Sequence, residues 1–456
     1  MINARIPFCL GALAAYAAAQ TPATVVAKVG DAVGNSTIST LNAPFTNGLG
    51  QVGFVAALAD STRIVWIGNG PVFNSADALP DVLTGGEGTM GISDAGGFVY
   101  SPSFNGNDAV YTHLGLLLAD GDPAPGMPGM FSSFNSRPTM TPDGTANWVG
   151  GWSATAGGST VGRIFYSAAG SNPANTTILL KTGDIVDGFP IGTSGIGFGY
   201  DVADNNLHRI HALILSTGST NNDDCIWVDG AVVARELSPT GQGDNWDNFT
   251  SMGINNNGDY VFTGDTDGNI GTDAFIAYNG QIVLRETDAV GGTQLAGTCR
   301  WISISNNGKV AFIHDSAAGE ALFYGDATDL ANATLVAAVG ASLDTNGDSI
   351  GDETLTDFEA SGTIGPGLSI GDDEMVYVEV ELNDGTTARE AIIGFDVGTT
   401  PPCRGDLDGD GDVDIADLAI LLSGFGGIGP VGDFDADGDV DISDLAILLS
   451  AFGTVC

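Results

Sequence analysis

Between residues 45 and 377 one unit recurs: an apolar residue, a polar turn, usually with glycine, then a run rich in β-branched and aromatic residues. The clearest copies are Met252-Gly-Ile-Asn-Asn-Asn-Gly258-Asp-Tyr-Val-Phe262 and Ile302-Ser-Ile-Ser-Asn-Asn-Gly308-Lys-Val-Ala-Phe312. Weaker copies run over 45–54, 90–100, 139–148, 200–210 and 368–377. With Gly50, Gly96, Gly144, Asn206, Gly258, Gly308 and Asp373 as anchors, the intervals are 46, 48, 62, 52, 50 and 65 residues. Asn-Gly and Asp-Gly supply the positive-φ positions that tight hairpins need. Three or four short strands per unit of about 50 residues, repeated about seven times, is the arithmetic of a β-propeller. The expected fold is therefore mainly β, an approximately seven-bladed β-propeller over residues 20–397. Closure into a ring protects strand edges, which a chain this rich in strands must do. A parallel β-helix needs much shorter periods; a string of two or three β-sandwiches is the competing architecture.

Charge narrows the partners. The 456 residues hold 13 Lys and Arg against 56 Asp and Glu, a net charge of −43. Of the acids 46 are Asp and only 10 are Glu, beside 68 Gly, which favours turns and metal loops over helices. Nucleic acid and anionic lipid surfaces are excluded as partners, because phosphate contacts need clustered Lys and Arg. A hydrophobic content of 43% argues against disorder.

Residues 1–19 read as a signal peptide: Arg5, the apolar run Ile6 to Ala19, and an Ala17-x-Ala19 cleavage pattern. No later segment reaches about 18 uninterrupted apolar residues, so no membrane insertion is expected. The expected location is extracellular or cell-surface associated. Removal of the signal takes Cys9 away and leaves Cys225, Cys299, Cys403 and Cys456, an even count that permits disulfides. Cys403 and Cys456 bracket one short segment. Cys225 and Cys299 fit either a bridge or two free buried thiols.

After a stiff linker at 398–402 the composition changes. Residues 405–426 and 432–453 match at 18 of 22 positions, and each contains a calcium loop of the EF-hand kind. In the first, Asp406, Asp408, Asp410, Asp412, Asp414 and Asp417 stand at loop positions 1, 3, 5, 7, 9 and 12; Gly411 makes the turn. The second set is Asp433, Asp435, Asp437, Asp439, Asp441 and Asp444, with Gly438 at the turn. Carboxylates packed this densely repel one another unless a hard divalent cation sits among them, so two Ca2+ ions are expected. Val413 and Val440 at position 8 are placed to pack together. Leu418, Leu422 and Phe425, and likewise Leu445, Leu449 and Phe452, are spaced to form one apolar face per following helix. Apolar burial in so short a piece is small, which predicts folding only with metal.

Two such loop-and-helix units in tandem resemble type I dockerins over residues 403–456. The resemblance implies a calcium-dependent partner, a cohesin-like module on a scaffold or cell surface, and a polysaccharide-utilisation setting with polysaccharide as a further partner. The cellulosomal Ser-Thr pairs are absent at positions 10 and 11, here Ile415-Ala416 and Ile442-Ser443, and neither helix carries the usual Lys or Arg. Cys403 and Cys456 flank the module as in cysteine-clasped dockerins, where a bridge would lower the entropy of the unfolded chain. The repeats over 40–395 resemble the NNxGxVxF tandem repeats of exported bacterial proteins, a group without an established activity.

Other signals are weaker. Asp344, Asn346, Asp348 and Asp352 resemble the DxNxDxxxD calcium loops of thrombospondin-type repeats, against an Asp-rich surface turn. His208 and His211, at i and i+3 on an expected strand, face opposite sides and are read as incidental. Trp66, Trp148, Trp152, Trp227, Trp246 and Trp301 can stack on sugars or fill cores. No catalytic residue is assigned: no Gly-x-Ser-x-Gly, HExxH or nucleotide loop occurs. The expectation is a non-catalytic binding or scaffolding protein. The alternative is a dockerin-bearing polysaccharide-degrading enzyme, a glycoside hydrolase or lyase, whose catalysis would need two carboxylates about 5–10 Å apart.

Overall fold

The turn Asn255–Asp259 carries the logic of the repeat. Asn255 N donates to Asp259 O and Gly258 N to Asn255 O, each at 3.0 Å. The Asn255 side-chain oxygen accepts from Asn257 N and Asp259 N, also at 3.0 Å. Gly258 closes this three-residue loop at φ +77°, a conformation that a side chain would strain. The turn joins Trp246–Ile254 to Tyr260–Thr266, and Ala274–Tyr278 and Gln281–Arg285 complete an antiparallel sheet of four strands. Gly50, Gly96, Gly144, Asn206 and Gly308 have positive φ at equivalent turns. The seventh anchor is displaced: the positive-φ residue is Glu374 (φ 61°), one position after Asp373, because the hairpin closes from Gly371 to Met375.

A second turn recurs where the outermost strand leaves six of the seven sheets. Gly30, Gly121, Gly183, Leu237, Thr287 and Gly340 all have positive φ there. The residue after each donates its N–H back to a carbonyl three residues earlier, as Asp122 N does to Ala119 O. Asp31, Asp122, Asp184 and Asp288 also accept, through Oδ2, the N–H three residues before them at 2.8–2.9 Å.

The computed structural model describes residues 21–78, 83–84, 90–132, 138–346, 351–358, 367–398, 407, 413–427 and 440–452. The expected signal segment 1–19, Cys403, Cys456, Asp348 and all but the first residue of the linker fall outside them. Among the described residues the strands gather into seven sheets that follow one another along the chain, spanning 32–74, 83–119, 130–181, 185–235, 246–285, 289–338 and 342–396.

Neighbouring sheets bury one another's faces. Val261 and Ile276 of the fifth sheet pack against Ile302, Val310 and Phe312 of the sixth. Their chain neighbours Phe262 and Phe275 pack the other way, against Ile210 and Ile226 of the fourth. Side chains alternate along a strand, so a strand covered on both sides reads as an unbroken apolar run. That is why Tyr260-Val-Phe262 shows no polar alternation. Each consecutive pair of sheets shares such a core, and a further one joins the seventh sheet back to the first through Ile392, Ala27, Phe54 and Ile64.

The N-terminal strand supplies that closure. Thr24–Lys28 pairs antiparallel with Ala388–Asp396 as the outer strand of the seventh sheet, and Thr21–Pro22 runs parallel to Leu343–Asp344. Lys28 Nζ meets Glu353 Oε1 at 2.6 Å across the junction. The ring is thus a closed, β-propeller-like arrangement of sheets, which a string of sandwiches would not produce. Two helices follow it in the chain: α1, Ile415–Gly424, and α2, Ile442–Ala451. No helix among the described residues is long and apolar enough to cross a membrane.

Candidate functional site

The helical segment is built on two carboxylates. Asp414 caps α1, its Oδ1 accepting from Ala416 N at 2.6 Å. Asp417 answers: Oδ2 accepts from Asp414 N at 2.8 Å and Oδ1 from Leu407 N at 2.6 Å. The second copy repeats the move, with Asp441 N donating to Asp444 Oδ2 at 2.7 Å. Asp417 and Asp444 are fully buried, a costly place for a charge unless it is satisfied. Of the twelve expected calcium ligands, these four (Asp414, Asp417, Asp441, Asp444) lie within the described residues. Asp406, Asp408, Asp410, Asp412, Asp433, Asp435, Asp437 and Asp439 lie outside them. Among the described residues no three His, Cys, Asp or Glu side chains form a metal-binding group.

Val413, Leu421, Val440 and Leu448 form one buried cluster, with Leu407, Leu418 and Leu445 partly buried against it. The expected contact of Val413 with Val440 thus lies inside one core. The helix face differs from the expected one. Leu418 turns inward together with Leu421, an i, i+3 pair, while Leu422 and Phe425 point out. The i, i+4, i+7 spacing is equally helical, but Val413 and Val440 fix which stripe is covered. What remains outside is duplicated: Ile415 and Ile442 are 70% and 67% exposed, Leu422 and Leu449 both 52%, Phe425 and Phe452 both 45%.

In the ring, the inner strands converge on an axis. A cavity of about 120 Å3 there takes at least one residue from every sheet, including Phe45, Met90, Thr139, Tyr200, Met252, Trp301 and Leu368. A second cavity of about 80 Å3 adjoins it, sharing Phe45, Asp201, Ser303 and Ser369, and adds Asp204, Asn306 and Asp372. These polar residues come from the recurrent turns. Asn256 N donates to the Asn306 side-chain oxygen at 2.8 Å, and Asn306 N to Asp372 Oδ1 at 2.7 Å. The Asn306 amide nitrogen then donates to Asp372 Oδ2 at 2.9 Å and to Asp204 Oδ2 at 2.7 Å, tying the fourth, sixth and seventh sheets together. Asp201 bridges to the fifth, its Oδ2 accepting from Ile254 N at 2.9 Å.

Burial pushes the Asp201 carboxyl up to about 7, against the two backbone N–H groups that favour its charge. Asp204 is also raised, by burial first and then by the neighbouring charges of Asp372 and Asp94. Asp94 Oδ1 is buried without a hydrogen-bond partner. None of the described ion pairs involves Asp94, Asp201, Asp204 or Asp372. Sequence reasoning missed this convergence. Its signal was present: Asp94, Asp204, Asn256, Asn306 and Asp372 all stand at the second position of their turns.

The remaining candidates separate. His208 Nδ1 lies 2.6 Å from Asp229 Oδ2, whereas His211 is buried, stacked on Tyr200, with its pKa pushed down to about 4 by desolvation. The two do not form a pair. Cys225 and Cys299 are free and buried, and burial pushes the Cys225 thiol up to about 12, so neither a bridge nor a reactive thiolate forms. Of the 344–352 candidate, the Asn346 amide donates to Asp352 Oδ1 at 3.0 Å and Thr345 N to Asp352 Oδ2 at 3.1 Å. Trp148 and Trp246 fill cores, Trp66 stacks on Phe54, Trp152 and Trp227 are half-buried, and only Trp301 lines the axial cavity.

Comparison with solved structures returns distant likenesses. Prolyl oligopeptidase B from Galerina marginata aligns at 11% identity with a TM-score of 0.40, covering 82% of this chain and 52% of that one. Puromycin hydrolase gives 13% identity, a TM-score of 0.42 and the same coverages. A structure assigned as TolB from Agrobacterium tumefaciens gives 10% and 0.32, covering 62% of this chain and 86% of that one. The chain thus spans about half the length of those two proteins. No curated protein matches. A family model matches residues 108–335, half of the chain and most of the ring. On that match the chain belongs to a family of unknown function, DUF7453.

Proposed function

We propose that this is an exported, non-catalytic binding or scaffolding protein, tethered through its C-terminal helices to a cohesin-like module in a calcium-dependent manner. On this reading each sheet of the ring is one blade, seven in all, and residues 403–456 are a dockerin holding two Ca2+ ions through the twelve aspartates. The observation that carries it is the duplicated outward face. Ile415, Leu422 and Phe425 are matched in exposure by Ile442, Leu449 and Phe452, and six large apolar groups left in water on and just after two short helices mark an interaction surface. Buried Asp417 and Asp444 at the closing loop positions add support, since a hard cation offsets the cost of their burial.

Calorimetric titration of the full chain against a panel of cohesin modules tests this. Binding should require Ca2+, vanish with chelator, and vanish when Leu422→Asp and Leu449→Asp are combined, while either change alone leaves it measurable. Absence of binding to every cohesin in Ca2+, with helicity intact, would overturn the tether. The polysaccharide-degrading alternative gains little from the axis. A cavity of about 120 Å3 holds about one benzene-sized group, less than a sugar chain needs. Product release from a polysaccharide screened against residues 20–397 would reverse that preference.

A further inference from the structure

The axial cavities place two chemistries side by side. One wall is apolar and aromatic, from Tyr200, Trp301, Met252 and Leu368. The adjoining pocket is polar and acidic, with Asp201, Asp204 and Asp372 in its lining. Asp94 adds a fourth charge close enough to act on Asp204. Among the described ion pairs none supplies these acids with a counter-charge. Their hydrogen-bond donors are Ile254 N, Val202 N, Asn306 N and the Asn306 amide, all uncharged. A low-dielectric pocket lined with anions and fed only neutral donors favours a cation.

The kind of cation follows from the walls. Calcium or magnesium needs six or more oxygens at about 2.0–2.6 Å in a closed shell, and the described acids do not group in that way. An aromatic and thioether wall instead suits the flat apolar body of an organic molecule. Volume sets the size: about 120 Å3 on the apolar side accepts a single aromatic ring, and about 80 Å3 on the acidic side accepts one ammonium or amidinium group.

We propose that the ring binds a small organic cation on its axis, with the charged group against Asp201, Asp204 and Asp372 and a one-ring apolar body beside Tyr200, Trp301 and Met252. This site is independent of the helical tether and does not depend on it. Benzylamine is the probe and benzyl alcohol its uncharged control. Titrated calorimetrically into the full chain at pH 7.5 with saturating Ca2+, benzylamine should bind one to one and at least tenfold more tightly than benzyl alcohol. Asp204→Asn, nearly isosteric, should weaken benzylamine at least tenfold and leave benzyl alcohol unchanged; Asp372→Asn gives the same reading should the first variant fold poorly. Trp301→Leu should weaken both compounds. Affinity for benzylamine should rise between pH 6 and pH 8 as Asp201, raised to about 7 by burial, ionises. The Leu422→Asp, Leu449→Asp double variant should bind benzylamine as the wild type does. Equal affinity for amine and alcohol, undiminished binding in both carboxamide variants, or no binding at all would each overturn the site.

Discussion

The ring and the helical pair meet the same demand, covering apolar surface, by opposite means. In the ring the central strands lie between two neighbouring sheets: Val261 faces one seam and Phe262 the next, both fully buried. In the helical pair, among the described residues, only Val413, Leu421, Val440 and Leu448 are buried together, and six comparable side chains stay in water. Burial at roughly 25 cal/mol per Å2 gives the ring many independent contributions and the helices very few. A piece of about 50 residues with so small a core needs another source of folding free energy. The ring thus has many seams to draw stability from, and the described helices have one small cluster.

Removing metal should separate the two regions most sharply. With chelator, the full chain should lose its helical circular dichroism while the β signal and the main thermal transition persist. Helicity unchanged after chelation would mean the helices stand on packing alone. The converse test strikes the ring. Phe312 is fully buried in the seam between fifth and sixth sheets and stacks on Phe323 at 5.1 Å. Phe312→Ala should cost about 3–5 kcal/mol, seen as a lower midpoint in urea, with the helical signal unaffected at temperatures below the transition.

Breaking the closure of the ring should have the next largest effect. Lys28 and Glu353 meet at 2.6 Å with side chains 21% and 8% exposed. Lys28→Met leaves Glu353 buried without its partner. The expected loss is about 2 kcal/mol, below the 3–5 typical of a fully buried pair, since Lys28 still reaches solvent. Removal of residues 1–28 should cost more than this change, because it takes away a whole strand. Equal losses would place the closure in the ion pair rather than in the strand.

The axis gives an effect read as a slope against pH. Asp201 in the folded ring has its pKa raised from 3.8 to about 7. A carboxyl raised in this way binds more protons folded than unfolded between those values. Stability is therefore highest below about pH 4 for this group and falls as pH rises through 7. Asp201→Asn should flatten the decline of the urea midpoint between pH 5 and pH 8. An unchanged slope would assign the decline to Glu320, also pushed up to about 7 by burial at the seam with the seventh sheet.

Much of this architecture was legible because two local signals repeat. The positive-φ turn residues and the apolar runs after them marked inner and second strands, and both follow from short-range sterics and side-chain alternation. The acidic axis was legible only as a shared turn position; that Asp94, Asp204 and Asp372 come together depends on sheets far apart in sequence converging. The outward face of α1 was misread for a related reason. Leu418, Leu421 and Leu422 are all spaced to share a stripe, and only the position of Val413 decides which of them is covered. Glu374 gave no such signal, because it lacks the glycine that marked most other anchors.

The smallest expected effect tests how literally the turn signal should be taken. Leu237 sits at φ 61°, half exposed, where Gly121, Gly183 and Gly340 occupy the equivalent turns. A β-carbon in the left-handed region costs about 1–2 kcal/mol, and Leu237, 51% exposed, buries little to offset it. Leu237→Gly should thus stabilise the ring by about 1 kcal/mol, less the entropy that glycine adds to the unfolded chain. Thr287→Gly, at φ 77°, should do the same, whereas Gly183→Leu, at φ 88° with open space around its Cβ position, should lose a similar amount through backbone strain alone. If Leu237→Gly and Thr287→Gly both destabilise, the side chains contribute more than the turn geometry does, and glycine in this repeat marks position without determining it.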